Sequence, residues 1–181
     1  MEYNVNEVVN HINELGICIL EEYFTEEECK TAISEFEDCI SKYGDRVQIL
    51  ESEGCGGDQR LFSIERQSTI AKLFAEDDMI TQVCSQYLGE PGRCHQVLAG
   101  KLTATEGKTI NSGGGWHRDS NTKQFKALLY LTDVDEKNGP YMFLPSSVNI
   151  QPEMRHDPRG TRFTDAGVKQ ICKNREMEPF T

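Results

Sequence analysis

At about residue 94 the hydrophobic period of this 181-residue chain changes, and the change restricts what it can fold into. Before it, apolar side chains recur every three or four residues, the spacing of helices with one buried face. "VNEVVNHINELG" predicts a short helix ending at Gly16. "YFTEEECKTAISEFEDCISKYG" predicts a longer one, with Thr25 and Glu28 as a capping box and Gly44 as terminator. Its stripe of Cys29, Ala32, Ile33, Phe36, Ile40 and Tyr43 has the character of core packing. Two more helices are expected around "STIAKLFA" and "DDMITQVCSQYLG", while "ICILEEYF" reads as a strand and "ESEGCGGDQ" as a loop. After residue 94, "CHQVLAGKLTATEG", "QFKALLYLTDV" and "YMFLP" read as strands. The last two flank "DEKNGP", which predicts a hairpin turning at Asn138-Gly139-Pro140. Within it Lys126, Leu128 and Tyr130 face one way, and Ala127, Leu129 and Leu131 the other. "RFTDAGVKQICKN" follows as a short helix capped by Thr164. One domain over residues 1–181 is expected, helical over about 1–92 and strand-rich over about 93–181.

Composition removes several classes of function. A net charge of −11 opposes binding to nucleic acid, whose phosphates would repel it. No run approaches the roughly 20 apolar residues of a spanning helix, so no membrane partner is expected. The opening "MEYNVNEVVN" is acidic and polar, unlike a secretory leader. Cysteines 18, 29, 39, 55, 84, 94 and 172 are odd in number and never form CxxC, which predicts reduced, mostly buried thiols and a cytoplasmic protein.

The stretch "GGGWHRDSN" carries the chemistry. In an extended chain residues i and i+2 share a face, so His117 and Asp119 can reach one ion. Such a pair supplies two ligands of the 2-His-1-carboxylate set, which leaves three positions of an octahedral iron(II) open. Alone the spacing is weak, and an ordinary surface histidine beside a turn-forming aspartate competes with it.

The surroundings of the pair resemble a known family. "GWHRDSNTKQFKALLYLTDVDEKNGPYMFLPSS" and the front block "HINELGICILEEYFTEEECKTAISEFE" are similar to the phytanoyl-CoA dioxygenase (PhyH-like) family of Fe(II)/2-oxoglutarate-dependent dioxygenases, from about residue 6 to 148. One departure is "LPSSVN", which lacks the Gly and His common at that corner. The resemblance implies a double-stranded β-helix, a jelly roll of the cupin-like kind, with the N-terminal helices packed on one side. It implies His117 and Asp119 as iron ligands, with Fe(II), 2-oxoglutarate and O2 as cofactor and co-substrates. The implied reaction hydroxylates a small-molecule substrate while 2-oxoglutarate is decarboxylated to succinate. An Asp at the second ligand position resembles the hydroxylating members and not the halogenating ones.

Other residues are weighed against that reading. His11 is expected at the surface of its helix, and His95, opening a strand, in a structural role. His156, downstream in "PEMRHDPRG", is not expected to be a ligand, because the family's distal histidine comes later, on a strand. Lys126 and Tyr130 are candidates to bind the 2-oxoglutarate carboxylate, since a cation or a hydroxyl donor is useful there. No histidine follows position 156, and Arg159, Arg162 and Arg175 are the arginines beyond it. A C-terminally incomplete jelly roll is therefore expected, lacking its last strands, with little bound iron, no turnover and self-association through an open sheet edge. The alternative is a metal-free relative or inactive fragment serving as a binding or scaffold module. A hydrolytic zinc enzyme is a distant third, because no H-E-x-x-H spacing occurs.

Overall fold

The structure is a computed structural model that describes residues 3–44, 48–49, 57–103, 115–120, 122–135, 137–147, 162–176 and 178–179. Helix α1 (Val5–Leu15) begins where the Asn4 side chain accepts the backbone N–H groups of Asn6 and Glu7, and closes at Gly16. Helix α2 (Glu26–Lys42) carries the expected capping box: the Thr25 hydroxyl takes the Glu28 N–H, and the Glu28 carboxylate takes the Thr25 N–H. Its cap at the far end is Tyr43, one residue before the expected Gly44. Helices α3 (Thr69–Ala75) and α4 (Asp78–Leu88) match the periodic segments, and Thr164 caps α5 (Asp165–Arg175).

The sheet adds strands to a front that the sequence reads as mainly helical. Strands β1 (Gln48–Ile49), β2 (Gly57–Phe62) and β3 (Leu98–Thr103) form an antiparallel sheet in the order β1-β2-β3. So part of "ESEGCGGDQ" is strand and not loop. The register pairs Leu61 with Ala99 and Phe62 with Leu98. Alternation then turns Leu61 and Ala99 towards α2, where they meet Phe36, Cys39 and Ile64, and leaves Phe62 and Leu98 exposed. Lys101, two residues after Ala99, reaches Glu37 of α2 at 3.4 Å.

A second core lies between α1 and α4. Val8, Val9 and Val83 are buried there, with Val83 only 2% exposed, and Leu20 and Phe125 pack against them. Beside α4 the chain turns back at Gly92, whose N–H donates to the Ser85 hydroxyl at 2.9 Å. A Cβ on Gly92 would sit 2.5 Å from the Cys84 sulfur and 3.2 Å from the Ser85 nitrogen. Gly92→Ala is expected to cost about 1 kcal/mol, the low end of overpacking, because the short Cys84 side chain can only partly yield. A chemical-denaturation midpoint equal to the parent's would show that the close approach is not needed.

Two further expectations are not met among the described residues. "ICILEEYF" should be a strand, and "QFKALLYLTDV" with "YMFLP" should make a hairpin; none of them is assigned to a strand there. The alternation survives in part, because Phe125, Leu129 and Leu131 are half-buried while Lys126, Leu128 and Tyr130 are exposed, although Ala127 joins the exposed set. The turn is also present: Asn138 N–H bonds the Asp135 carbonyl at 3.0 Å, and the Asp135 carboxylate takes the Lys137 N–H. Among the described residues neither segment is a strand, although Phe143 stands in a single bridge. The Tyr141 N–H donates to the Tyr130 hydroxyl at 2.9 Å. The double-stranded β-helix is thus reduced, among the described residues, to helices on one small open sheet. No helix among them is long and apolar enough to cross a membrane.

The cysteines described are free thiols, and burial pushes those of Cys18, Cys29, Cys39 and Cys84 up, which keeps them protonated. Cys55 lies outside the described residues.

Candidate metal centre

Residues 115–120 form a short irregular stretch, bent at 115, 116 and 119, and held from both sides. His117 makes an isolated antiparallel bridge with Arg162, and the Phe163 N–H donates to the Trp116 carbonyl at 2.9 Å. That pairing leads directly into α5, whose Ile171 packs with Leu144. Arg118 donates to the Ser147 carbonyl. Ser146 in turn binds the end of α1, N–H to the Leu15 carbonyl at 2.8 Å and hydroxyl to the Glu14 carbonyl at 2.9 Å. The stretch is therefore positioned by α1 and α5, elements far from it in sequence.

Within it Gly115 adopts a φ of +81°, a left-handed conformation that favours glycine. Its carbonyl lies 2.8 Å from His117 Nδ1. A carbonyl can only accept, so Nδ1 donates to it, and Nε2 is the nitrogen turned towards Asp119. A metal-binding imidazole is held in this way, with one nitrogen fixed by a backbone oxygen and the other free for an ion. His117 Nε2 faces Asp119 Oδ1 at 3.5 Å. Two donors each about 2.1 Å from one ion, at right angles, lie about 3.0 Å apart, so the observed pair needs only a slight closing to share one.

The other oxygen of Asp119 is engaged. Lys126 Nζ lies 2.5 Å from Oδ2. That hydrogen bond, the largest influence, together with the positive charges of Lys126 and His117, holds the Asp119 carboxyl below the usual carboxylate range despite its partial burial. Asp119 is thus anionic at neutral pH, as a hard-metal ligand must be. The donor types brought together, an imidazole nitrogen and a carboxylate oxygen, fit iron(II).

The candidate residues are distributed as follows. His117 and Asp119 come together. Lys126 joins them, but on the carboxylate of Asp119. Tyr130 is half-exposed and its hydroxyl accepts the Tyr141 N–H. His156 lies outside the described residues. His11 contacts the Cys18 thiol at 3.8 Å, and His95 lines a separate polar cleft with Glu65 and Arg93. Among the described residues no third histidine, cysteine or carboxylate completes a metal-binding group. Beside His117 lies a cleft of about 130 Å³ walled by Trp116, Tyr141, Phe143, Phe163 and Ile171. Its aromatic walls were not foreseen, because they come from three separate segments.

A family model described as phytanoyl-CoA dioxygenase (PhyH) matches residues 12–180. The chain is similar to ectoine dioxygenases of Bordetella bronchiseptica and Bordetella parapertussis, in each case 26% identical over 140 residues, covering 73% of this chain and 46% of the relative. It spans about half the length of the curated relatives it matches. No solved structure gives a significant match.

Proposed function

The chain belongs to the phytanoyl-CoA dioxygenase family, and on that premise we propose that it forms the iron-binding region of an Fe(II)- and 2-oxoglutarate-dependent dioxygenase that hydroxylates a small molecule. The observation that carries this reading is His117, whose Nδ1 is fixed by Gly115 while Nε2 faces Asp119. In the proposed site His117 Nε2 and Asp119 Oδ1 hold iron(II). The bound iron would supply the oxidising chemistry, with 2-oxoglutarate and O2 as co-substrates. The protein's part is to fix the imidazole, keep Asp119 ionised and shield the site. The cleft against His117 would receive a substrate with an apolar or aromatic face, because Trp116, Phe143 and Phe163 wall it.

Lys126 fits a carboxylate anchor poorly, since it is bound to Asp119, whereas the Tyr130 hydroxyl accepts a backbone N–H and keeps its own proton to donate. The co-substrate enters the proposal through the family. The proposed fold around the site is the double-stranded β-helix, supported by the antiparallel sheet and by the pairing of His117 with Arg162. Self-association remains part of the proposal, supported by exposed Leu128 and Tyr141.

A second reading, a metal-free relative acting as a binding module, draws on the Lys126 ammonium, which already neutralises Asp119. Metal analysis of anaerobically prepared protein, with and without 2-oxoglutarate, separates the two. The iron reading expects iron uptake that Asp119→Ala abolishes. A chain that takes up no iron, or takes it up equally well without Asp119, belongs to the metal-free reading.

A further inference from the structure

We propose that Lys126 is a resident cation on Asp119, which limits the carboxylate to one donor oxygen and weakens capture of a divalent ion at the His117–Asp119 pair. This rests on the reading of that pair as a metal site. The geometry divides the two oxygens of Asp119: Oδ2 lies 2.5 Å from Lys126 Nζ, and Oδ1 faces His117 Nε2 at 3.5 Å. A carboxylate left free on both oxygens can chelate one ion with both. With Lys126 on Oδ2, Asp119 can offer the ion only Oδ1, and a coordination position stays open for other ligands.

The placement of Lys126 is built into the fold. Lys123 donates to the Tyr87 carbonyl of α4, and its ammonium lies 3.9 Å from the centre of the Tyr87 ring. Phe125 packs on the same ring at 6.3 Å and against the core of Val8, Val9 and Val83. Two anchors on α4 therefore deliver the next residue, Lys126, to Asp119.

Two opposite effects of Lys126 on metal binding have to be compared. As an orienting group it holds the Asp119 side chain in place. However, the Lys126 side chain is 67% exposed, and an exposed ion pair holds a rotamer only weakly. As a charge it opposes a second cation on the same carboxylate. An ammonium a few ångströms from a divalent ion lowers its affinity roughly tenfold even where water screens the pair. Repulsion and competition for the carboxylate win.

Manganese(II) titration of the intact chain, read by the electron paramagnetic resonance of the free ion, tests this without requiring turnover. Lys126→Met is expected to bind manganese about tenfold more tightly than the parent, and Lys126→Arg, which keeps the charge, to match the parent. The gap should narrow as ionic strength rises. If binding needs His117 but Lys126→Met is equal to or weaker than the parent, the resident-cation role is wrong and the metal site stands. A gain shared by Lys126→Arg would overturn the role as well. If no variant binds manganese in a His117-dependent way, the metal-site reading itself fails and takes this inference with it.

Discussion

His117→Ala is expected to lower the iron(II) affinity of the chain by about 100-fold or more while leaving its helical circular dichroism unchanged. The size follows from what the side chain supplies. Among the described residues its Nε2 is the imidazole nitrogen that faces Asp119, and it is turned there because Gly115 binds Nδ1. Removing it leaves a lone carboxylate that already shares its charge with Lys126. Stability should hardly change, because the His117 side chain is 32% exposed and its described polar contacts are confined to Gly115 and Asp119. His156→Ala is expected to leave the affinity at the parent value. Iron stoichiometry preserved in His117→Ala would remove the residue from the site.

Glu35→Ala is expected to destabilise the fold by about 2–3 kcal/mol, a fall in Tm of roughly 5–10 °C for a chain of this size. Glu35 lies on α2 and caps the start of α3 from outside. Its carboxylate accepts the Ser68 hydroxyl at 2.6 Å, the Thr69 N–H at 3.0 Å and the Ile70 N–H at 3.3 Å. Ser68 is only 3% exposed, so losing its acceptor strands a hydroxyl away from water. The N–H groups of the first turn lose an anionic partner as well. Burial would raise the Glu35 carboxyl, but the hydrogen bonds from Ser68, Thr69 and Ile70 outweigh it and hold the group below its ordinary value of 4.5. A carboxyl depressed on folding contributes stability above its unfolded value, here about 4.5, and loses that contribution as pH falls through the lower folded value. Glu35→Gln should therefore flatten the acid side of the stability profile below about pH 4.5. Denaturation curves for parent and Gln variant that fall in parallel through that range would remove Glu35 as the cause.

How much of this was legible in the residues depended on the range of the forces involved. The helices were readable because their signals are local. Thr25 with Glu28, Thr164 before α5, and Gly89 after α4 each satisfy backbone groups within a few residues. The His117–Asp119 pair was readable for a similar reason, since i and i+2 share a face of any extended chain. Strands were the weak point. β2 hides in a glycine-rich run and gains its identity from pairing with β3, some forty residues on, a partner that no local pattern announces. "QFKALLYLTDV" shows the converse, with strong β-propensity and no ladder among the described residues, because propensity describes fit to a pleated surface and cannot provide one.

The sequence by itself determined the helices, several of their caps, the family and the closeness of His117 to Asp119, all of which rest on local spacing or on motif. Only the tertiary structure decided which nitrogen of His117 is free, that Lys126 sits on Asp119, that Glu35 caps a helix other than its own, and that aromatic rings from three segments wall a cleft. Those facts depend on hydrogen bonds and contacts between residues brought together by burial of the α1–α4 and α2–sheet cores. A short-range code cannot specify them, because the free energy that creates them is shared across the whole packed interior.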